Sequence, residues 1–360
     1  VKALFSFIVV GRVSDGRLWP FRTCSRSDEI ADRRNLRTVR VKRLVIEPNE
    51  RRQIDWLVDD VLDEYGQWDP VQFVAHAKTV AESMPIRVRQ FFRRVQSDEV
   101  DVAVLSGLPL TPDLGPTPTG WDMAQKTGAG SREEVVLTLC SAALGEPFAW
   151  DDQQNGRIVH DVCPAPGMEH SQTSGSSTAP LSLHTEDAFH QCRADYVALY
   201  CLRNPDRIGT TVVRADRLDL PPRLSEVLSE KRFRHRPDQS HVSGPHGDTD
   251  EAADVDAILF GPPESRYLRI DFDDTSAVED DDHVAQEAIT ELYQHMCGAL
   301  ERVTLEPGDA IFLDNYRLVH GREPFEPRYD GNDRWLKRVN LIRDIRRVFV
   351  TTGARSRVIG

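Results

Sequence analysis

The apolar positions of the chain change period part-way along. In the first third they recur at helical spacing. Ile54, Leu57, Val58, Val61 and Leu62 form one stripe behind the start signal Glu47-Pro48-Asn49-Glu50, which predicts a helix over 48–65. Further helices are expected at 71–82 and 86–96. The run 101–107 reads as a strand, followed by a turn-rich loop over 109–118. Val135, Val136, Leu139, Ala142 and Ala143 predict a buried helix over 131–144. From 156 onward short apolar runs of strand length take over, at 157–162, 196–202, 210–213, 267–271, 310–313 and 336–342. Helices at 222–230 and 283–302 interrupt them. The second carries Val284, Ala288, Ile289, Leu292, Tyr293, Met296 and Leu300 on one core-packing stripe. Residues 274–283 are acidic and read as a solvated loop.

Short strands with long insertions, behind a block of helices, describe a mainly β chain with helical additions, an α+β fold. A jelly roll, or double-stranded β-helix, buttressed on one sheet by the N-terminal helices fits this pattern. Such a barrel makes neighbours of strands that are far apart in sequence. No repeat or low-complexity linker divides the chain, so 43–360 reads as a single domain. Residues 1–42 are arginine-rich and lack clear periodicity after the apolar start Val1–Val10. Gly11 and Arg12 end that run early and no small-residue cleavage site follows, so a loosely attached, poorly ordered extension is expected rather than a signal peptide.

Composition narrows the function classes. The 360 residues carry a net charge of −13, which argues against a general nucleic-acid binder. No apolar run approaches the length of a membrane span. The six cysteines are scattered without a Cys-x-x-Cys pair, as in free thiols of a reducing cytoplasm.

Against this background one stretch stands out, Leu181-Ser-Leu-His-Thr-Glu-Asp-Ala-Phe-His190. On a strand, His184 and Glu186 would share a face. With a distal histidine, His320 in Val-His-Gly being the best candidate, they would make a facial triad that leaves half an octahedron open, which suits non-haem Fe(II) and O2. His190 would join them only if the strand continued. His170, His235, His241, His246 and His295 have no carboxylate at matching spacing and are read as structural or surface groups. After His320, Arg334, Leu336 and Arg338 would share one strand face, with Trp335 and Lys337 on the other. Inward arginines are costly to bury without anions, and a guanidinium fork matches a carboxylate. The competing reading is a surface salt-bridge ladder. Asp271 and Asp273 alternate onto one face and call for a cation between them, or else form the edge of an acidic loop.

Together, His184-Thr-Glu186-Asp-Ala-Phe, Leu-Arg-Asn-Pro-Asp at 202–206, Asp-Asn-x-Arg-x-Val-His320-Gly-Arg and Asp-Arg334-Trp-Leu-Lys-Arg338 resemble the clavaminate-synthase-like Fe(II)/2-oxoglutarate oxygenases. The similarity runs from the middle 40s to the C-terminus and is greatest to the branch that hydroxylates free L-arginine, the viomycin- and streptothricin-pathway enzymes. The resemblance implies iron held by His184, Glu186 and His320. It implies 2-oxoglutarate held through its far carboxylate by Arg334, with Thr211 a weaker candidate contact. It implies a substrate α-carboxylate on Arg338, an α-amino group near Gln153 and Glu186, further substrate contacts at Ser174 and Ser240, and a guanidinium gripped by Asp271 and Asp273. Gln172 and Phe272 depart from the pattern, standing where a leucine and a glycine occur, and both are expected to influence which carbon is oxidised.

The leading expectation is therefore hydroxylation of L-arginine at C3, C4 or both. The same chemistry on lysine, ornithine, citrulline or another amino acid is the alternative. A zinc hydrolase on the same ligands and a barrel that binds without turnover are more remote. Neither a nucleic-acid nor a membrane partner is expected. A lid that excludes water is expected within 215–260.

Overall fold

The computed structural model describes residues 41–65, 70–241 and 253–360, together with the short strands β1 (Val10–Arg12), β2 (Leu18–Pro20) and β3 (Arg37–Thr38). Strand β4 (Lys42–Val45) leads into α1 (Pro48–Tyr65), α2 (Pro70–Ala81) and α3 (Ile86–Ser97). After β5 (Val102–Ser106) come α4 (Trp121–Thr127) and α5 (Ser131–Leu144). The chain then turns to β6 (Glu146–Trp150), β7 (His160–Val162), β8 (Leu181–His184), β9 (Tyr196–Arg203) and β10 (Gly209–Arg214). Helix α6 (Pro222–Leu228) precedes the short strands β11 (Phe233–His235), β12 (Asp254–Asp256), β13 (Leu259–Phe260), β14 (Tyr267–Leu268) and β15 (Thr275–Ala277). The rest is α7 (His283–Gly298), β16 (Glu301–Thr304), β17 (Ala310–Asp314), β18 (Leu318–Arg322), β19 (Trp335–Ile342), α8 (Arg346–Thr352) and β20 (Val358–Ile359).

Two sheets frame the site. The larger runs β20-β6-β19-β9-β17-β5-β4, with β7 also on β19; the smaller runs β3-β16-β10-β18-β8. The period of two along the larger sheet explains its layers. Ile311 and Leu313 of β17, Leu199 and Cys201 of β9, and Leu336 of β19 join Val212, Val303 and Leu318 of the smaller sheet in one core. Their alternates Ala310, Phe312, Ala198, Tyr200, Trp335 and Val339 pack on the opposite side with Ile54 and Val58 of α1, Phe73 of α2, Phe92 of α3 and Val136 of α5. With both faces covered, β9 and β17 read as near-continuous apolar runs, whereas β19 also carries Lys337, Arg338 and Asn340. A further core covers the outer face of the smaller sheet: Val213 and Val319 meet Leu224 of α6 and Ile289 and Leu292 of α7.

Most elements fall where the periodicity places them, with informative differences. At the start of helix α1, Glu50 Oε2 reaches back to accept from the Glu47 N–H at 2.9 Å. Helix α7, whose N-cap Asp282 accepts from the Ala285 N–H, stops at Gly298 rather than running to 302. The apolar stripe continues into β16 because that segment is taken up by pairing with β10. The acidic stretch 274–283 is not all loop: Thr275–Ala277 pairs with β11. The expected region 215–260 holds α6 and short strands, and its residues 242–252 lie outside the described residues, as does most of the expected N-terminal extension. No helix among the described residues is long and apolar enough to cross a membrane.

Candidate active site

Strands β8 and β18 pair antiparallel with His184 opposite His320, so both rings share one face, 4.4 Å apart. Gly321 makes the approach possible. A Cβ there would sit 2.5 Å from the Leu181 carbonyl oxygen. Glu186 is not on the strand, as the same-face expectation required; β8 ends at His184 and Glu186 opens the turn that follows. The Thr185 N–H donates to Ile270 O and the Glu186 N–H to Asn315 Oδ1, both at 2.7 Å. Asn315 Nδ2 in turn donates to Glu186 O at 3.0 Å and Ala194 O at 2.9 Å. Asp187 then takes φ +52°.

This turn places Glu186 Oε2 3.7 Å from His184 Nε2 and 3.6 Å from His320 Nε2. Both separations are too long for hydrogen bonds. Oε2 is buried and has no hydrogen-bond partner among the described residues. His184 Nδ1 lies 2.8 Å from Ser182 O, and a proton donated there leaves the Nε2 lone pair facing the carboxylate. The three donor atoms lie within 4.8 Å of one another. Two imidazoles and one carboxylate aimed at a common point fit a divalent transition metal, Fe(II) among them, and His184, Glu186 and His320 would hold it.

The other Glu186 oxygen, Oε1, accepts a hydrogen bond from Arg338 Nη1. Arg338 Nη2 also donates to Gln153 Oε1 at 3.2 Å and His160 Nδ1 at 2.8 Å. Burial alone would raise the Glu186 carboxyl, but the Arg338 guanidinium and the two imidazoles hold it well below the usual carboxylate range. Burial opposes charge on His184, while Glu186 and Asp271 bring it up to about 9; burial, reinforced by His184, pushes His320 down to about 4. His160 is pushed well below the usual imidazole range by burial and by Arg338, so it is a neutral acceptor.

A cleft opens over these ligands. Arg334, Leu336 and Arg338 line it together, whereas Lys337 is buried on the opposite face of β19 between Glu134 and Asp161, at 2.8 and 2.7 Å. The inward arginines are thus no surface ladder. Arg334 is buried, its Nε has no partner among the described residues, and burial pushes it down to about 10. Asp271 and Asp273 line the same cleft, joined by Asp238 and Asp274. A tight turn gathers them: the Asp273 N–H donates to Asp271 Oδ1 at 2.9 Å, and Asp271 bridges to His184. Burial pushes Asp271 up to about 7, and burial with the neighbouring carboxylates pushes Asp274 up to about 9. Carboxylates so crowded favour a cation.

Ser174, Ser240 and Gln172 stand in the cleft wall. Gln153 lies behind it, bonded to Arg338 and, through Nε2, to Ser240 Oγ at 2.6 Å. Two expectations need correction. Thr211 pairs with Gly321 and takes the outer face of β10; Thr210, opposite Arg322, lines the cleft instead, because strand side chains alternate. Phe272 does not enter the cleft. It is buried in the core beside α7, its ring 5.0 Å from that of Tyr293. His241, read as structural or surface, is fully buried beside the site, with Nδ1 3.0 Å from Asp152 and Nε2 3.2 Å from Asp187. Burial opposes its charge, yet the two aspartates bring it up to about 10. Asn315, His160 and Asp238 also went unrecognised. Only the Asp-Asn pair before the Val-His-Gly segment carried a signal for any of them.

Residues 136–340 match the family described as "Taurine catabolism dioxygenase TauD, TfdA family". The chain belongs to this family. The dioxygenase is 35% identical over 326 residues to the enduracididine beta-hydroxylase of Streptomyces hygroscopicus, covering 84% of this chain and 95% of that protein. It is also 35% identical over 336 residues to the L-ornithine/L-arginine 3-hydroxylase of Catenulispora acidiphila, with the same coverage. Among solved structures, non-heme iron oxygenase OrfP in complex with Fe, succinate and (3S)-hydroxy-L-Arg superposes with a TM-score of 0.81 at 34% identity, over 89% of this chain and 100% of that one. The protein is an Fe(II)- and 2-oxoglutarate-dependent dioxygenase.

Proposed function

We propose that this dioxygenase hydroxylates a free cationic L-amino acid, L-arginine before others, at C3, C4 or both. One observation carries the reading: the His184–Glu186–His320 ligands, two inward arginines and the carboxylates of Asp271 and Asp273 share a single cleft. Relatives described as hydroxylases of arginine and ornithine support it. Iron with 2-oxoglutarate and O2 supplies the oxidising chemistry, and the protein supplies binding and orientation. Arg334 would hold the far carboxylate of 2-oxoglutarate, since a buried guanidinium with an unsatisfied N–H invites an anion. Arg338 would take the substrate α-carboxylate through its buried Nε, which has no hydrogen-bond partner among the described residues. Gln153 and Glu186 would face the α-amino group, with Ser174 and Ser240 completing the wall. Asp271 and Asp273 would bind the side-chain cation, and this fixes which carbon approaches the metal.

The two facing sheets support assignment of the core as a double-stranded β-helix, or jelly roll, and their shared cores with α1–α3 and α5 support treating 43–360 as one domain. The free thiols of Cys140, Cys163, Cys192, Cys201 and Cys297 support a cytoplasmic location.

The test is succinate formation with Fe(II), 2-oxoglutarate and each common L-amino acid in turn, with mass spectrometry on the amino acid. One or two oxygens gained by arginine bears the reading out. Turnover of only a neutral amino acid keeps the metal site and rejects the role of Asp271 and Asp273. The same chemistry on ornithine or lysine is the second reading, favoured by relatives described with those substrates.

A further inference from the structure

Three strained or irregular segments that face the substrate meet at one imidazole outside the metal ligands. His241 is completely buried, with Nδ1 3.0 and 3.1 Å from the two carboxylate oxygens of Asp152 and Nε2 3.2 Å from Asp187 Oδ1. Asp152 directly precedes Gln153, and the next two residues, Gln154 and Asn155, sit at φ +45° and +60°. Asp187 directly follows the metal ligand Glu186 and sits at φ +52°; its Oδ2 accepts from Trp150 Nε1 at 2.8 Å and Asn340 Nδ2 at 3.2 Å. Non-glycine residues in the left-handed region are strained and persist only where their surroundings hold them. The third segment is 236–241 itself. Ser240 and Asp238 line the cleft, and the Ser240 N–H donates to Asp238 Oδ1 at 2.6 Å.

The contacts close into a ring. Glu186 is tied to Arg338, Arg338 to Gln153, Gln153 to Ser240, and His241 ties back to Asp152 and Asp187. Trp150 and Phe189 pack on the imidazole with centroids 5.3 and 4.8 Å away, which excludes water from the bridge. The rigid ring presents Nδ1 to Asp152 and Nε2 to both Asp187 Oδ1 and Gln153 Nε2, the last 2.9 Å away, so one imidazole touches the metal-ligand turn and the Gln153 turn at once, and an amide at that position reaches only part of this set.

We infer that His241 is a positioning residue, bridging Asp152 and Asp187 so that the 236–241 segment, the Gln153 turn and the metal-ligand turn hold one geometry around the amino acid. The role rests on the substrate reading above. Without the bridge the cosubstrate would still bind at Arg334, but the amino acid would be seated loosely, and 2-oxoglutarate would be consumed without hydroxylation.

The test is the full-length His241→Asn variant, with Asp152→Asn as the variant that preserves side-chain size and leaves the imidazole in place. Hydrogen exchange followed by mass spectrometry, on protein without metal or substrates, reads the bridge directly. Peptides covering 236–241 and 185–190 should exchange at least tenfold faster, with 196–203 unchanged. In turnover, the amino-acid KM should rise about tenfold and hydroxylated product per succinate should fall below half of the parent's, while the 2-oxoglutarate KM stays within twofold. If His241→Asn does not fold, Asp152→Asn should give the same split at smaller size. Unchanged exchange at 236–241, or raised exchange with amino-acid KM and product ratio unchanged, overturns the inference. The substrate reading fails separately, when the parent protein hydroxylates no cationic amino acid, and the exchange arm still decides the bridge.

Discussion

At the scale of the residue, the cleft separates side chains that face it from near neighbours in sequence that are buried elsewhere. Arg334 and Lys337 both lie within 17 residues of His320 and both are buried, yet one faces the cleft and the other is neutralised by Glu134 and Asp161. If Arg334 holds the cosubstrate as proposed, replacing it with Ala removes a charge-assisted pair, so the 2-oxoglutarate KM should rise roughly ten- to a hundredfold, with the amino-acid KM little changed in steady-state assays. Gln172 and Phe272 divide in the same way. Gln172 is in the cleft wall, where its Oε1 accepts from the Ser182 N–H at 3.2 Å. Gln172→Leu should change the ratio of products resolved by NMR. Phe272→Ala should leave that ratio alone and cost about 3–5 kcal/mol in urea unfolding, because its ring fills a core. The expectation that both residues steer regiochemistry came from their position in a motif. Motif position does not say which way a side chain points once the chain turns at Asp271.

At the scale of the element, the metal centre depends on how a strand ends. The His-x-Glu spacing was legible, but the same-face geometry that made it attractive was not the one realised. Glu186 reaches His184 and His320 through a turn held by Asn315, whose side chain makes hydrogen bonds to Glu186 N, Glu186 O and Ala194 O. Asn315→Ala leaves these buried groups unpaired and should destabilise the protein by about 2–4 kcal/mol, with a weaker apparent Fe(II) affinity read by metal titration of the folded variant. Nothing in local periodicity marks Asn315, since its partners lie 129 and 121 residues away along the chain. The strand pairs behaved otherwise. The run 196–202 was readable because both of its faces are buried, which forces apolar residues at nearly every position, while 336–342 was readable from Leu336, Val339, Leu341 and Ile342 despite Lys337, Arg338 and Asn340. Where a strand is short or its partner distant, as at 254–256 and 275–277, composition carried no mark of it.

At the scale of the whole molecule, burial of polar groups sets the response to pH. His235 is buried at the end of β11, its Nδ1 3.0 Å from Thr275 Oγ1, and burial, then Arg269 and Arg193, pushes it from 6.5 down to about 3. Between those values the unfolded chain binds a proton that the native state refuses, so stability is present above about 6.5 and is lost as pH falls towards 3. His235 alone should cost about 1 kcal/mol at pH 5.5 relative to pH 7.5, and His235→Gln should flatten that part of the urea-midpoint profile.

The sequence by itself determined which chemistry this chain can perform. Imidazoles, carboxylates and guanidinia are set by residue type, and their spacing along strands is set by a backbone period of two, so His184, Glu186, His320, Arg334 and Arg338 were identifiable before any fold was known. Only the tertiary structure decided which neighbour faces inward, Thr210 rather than Thr211, and that His241 stands between Asp152 and Asp187. Those outcomes depend on register, turn geometry and contacts between segments dozens of residues apart, and a local pattern carries no energy term for contacts it does not contain.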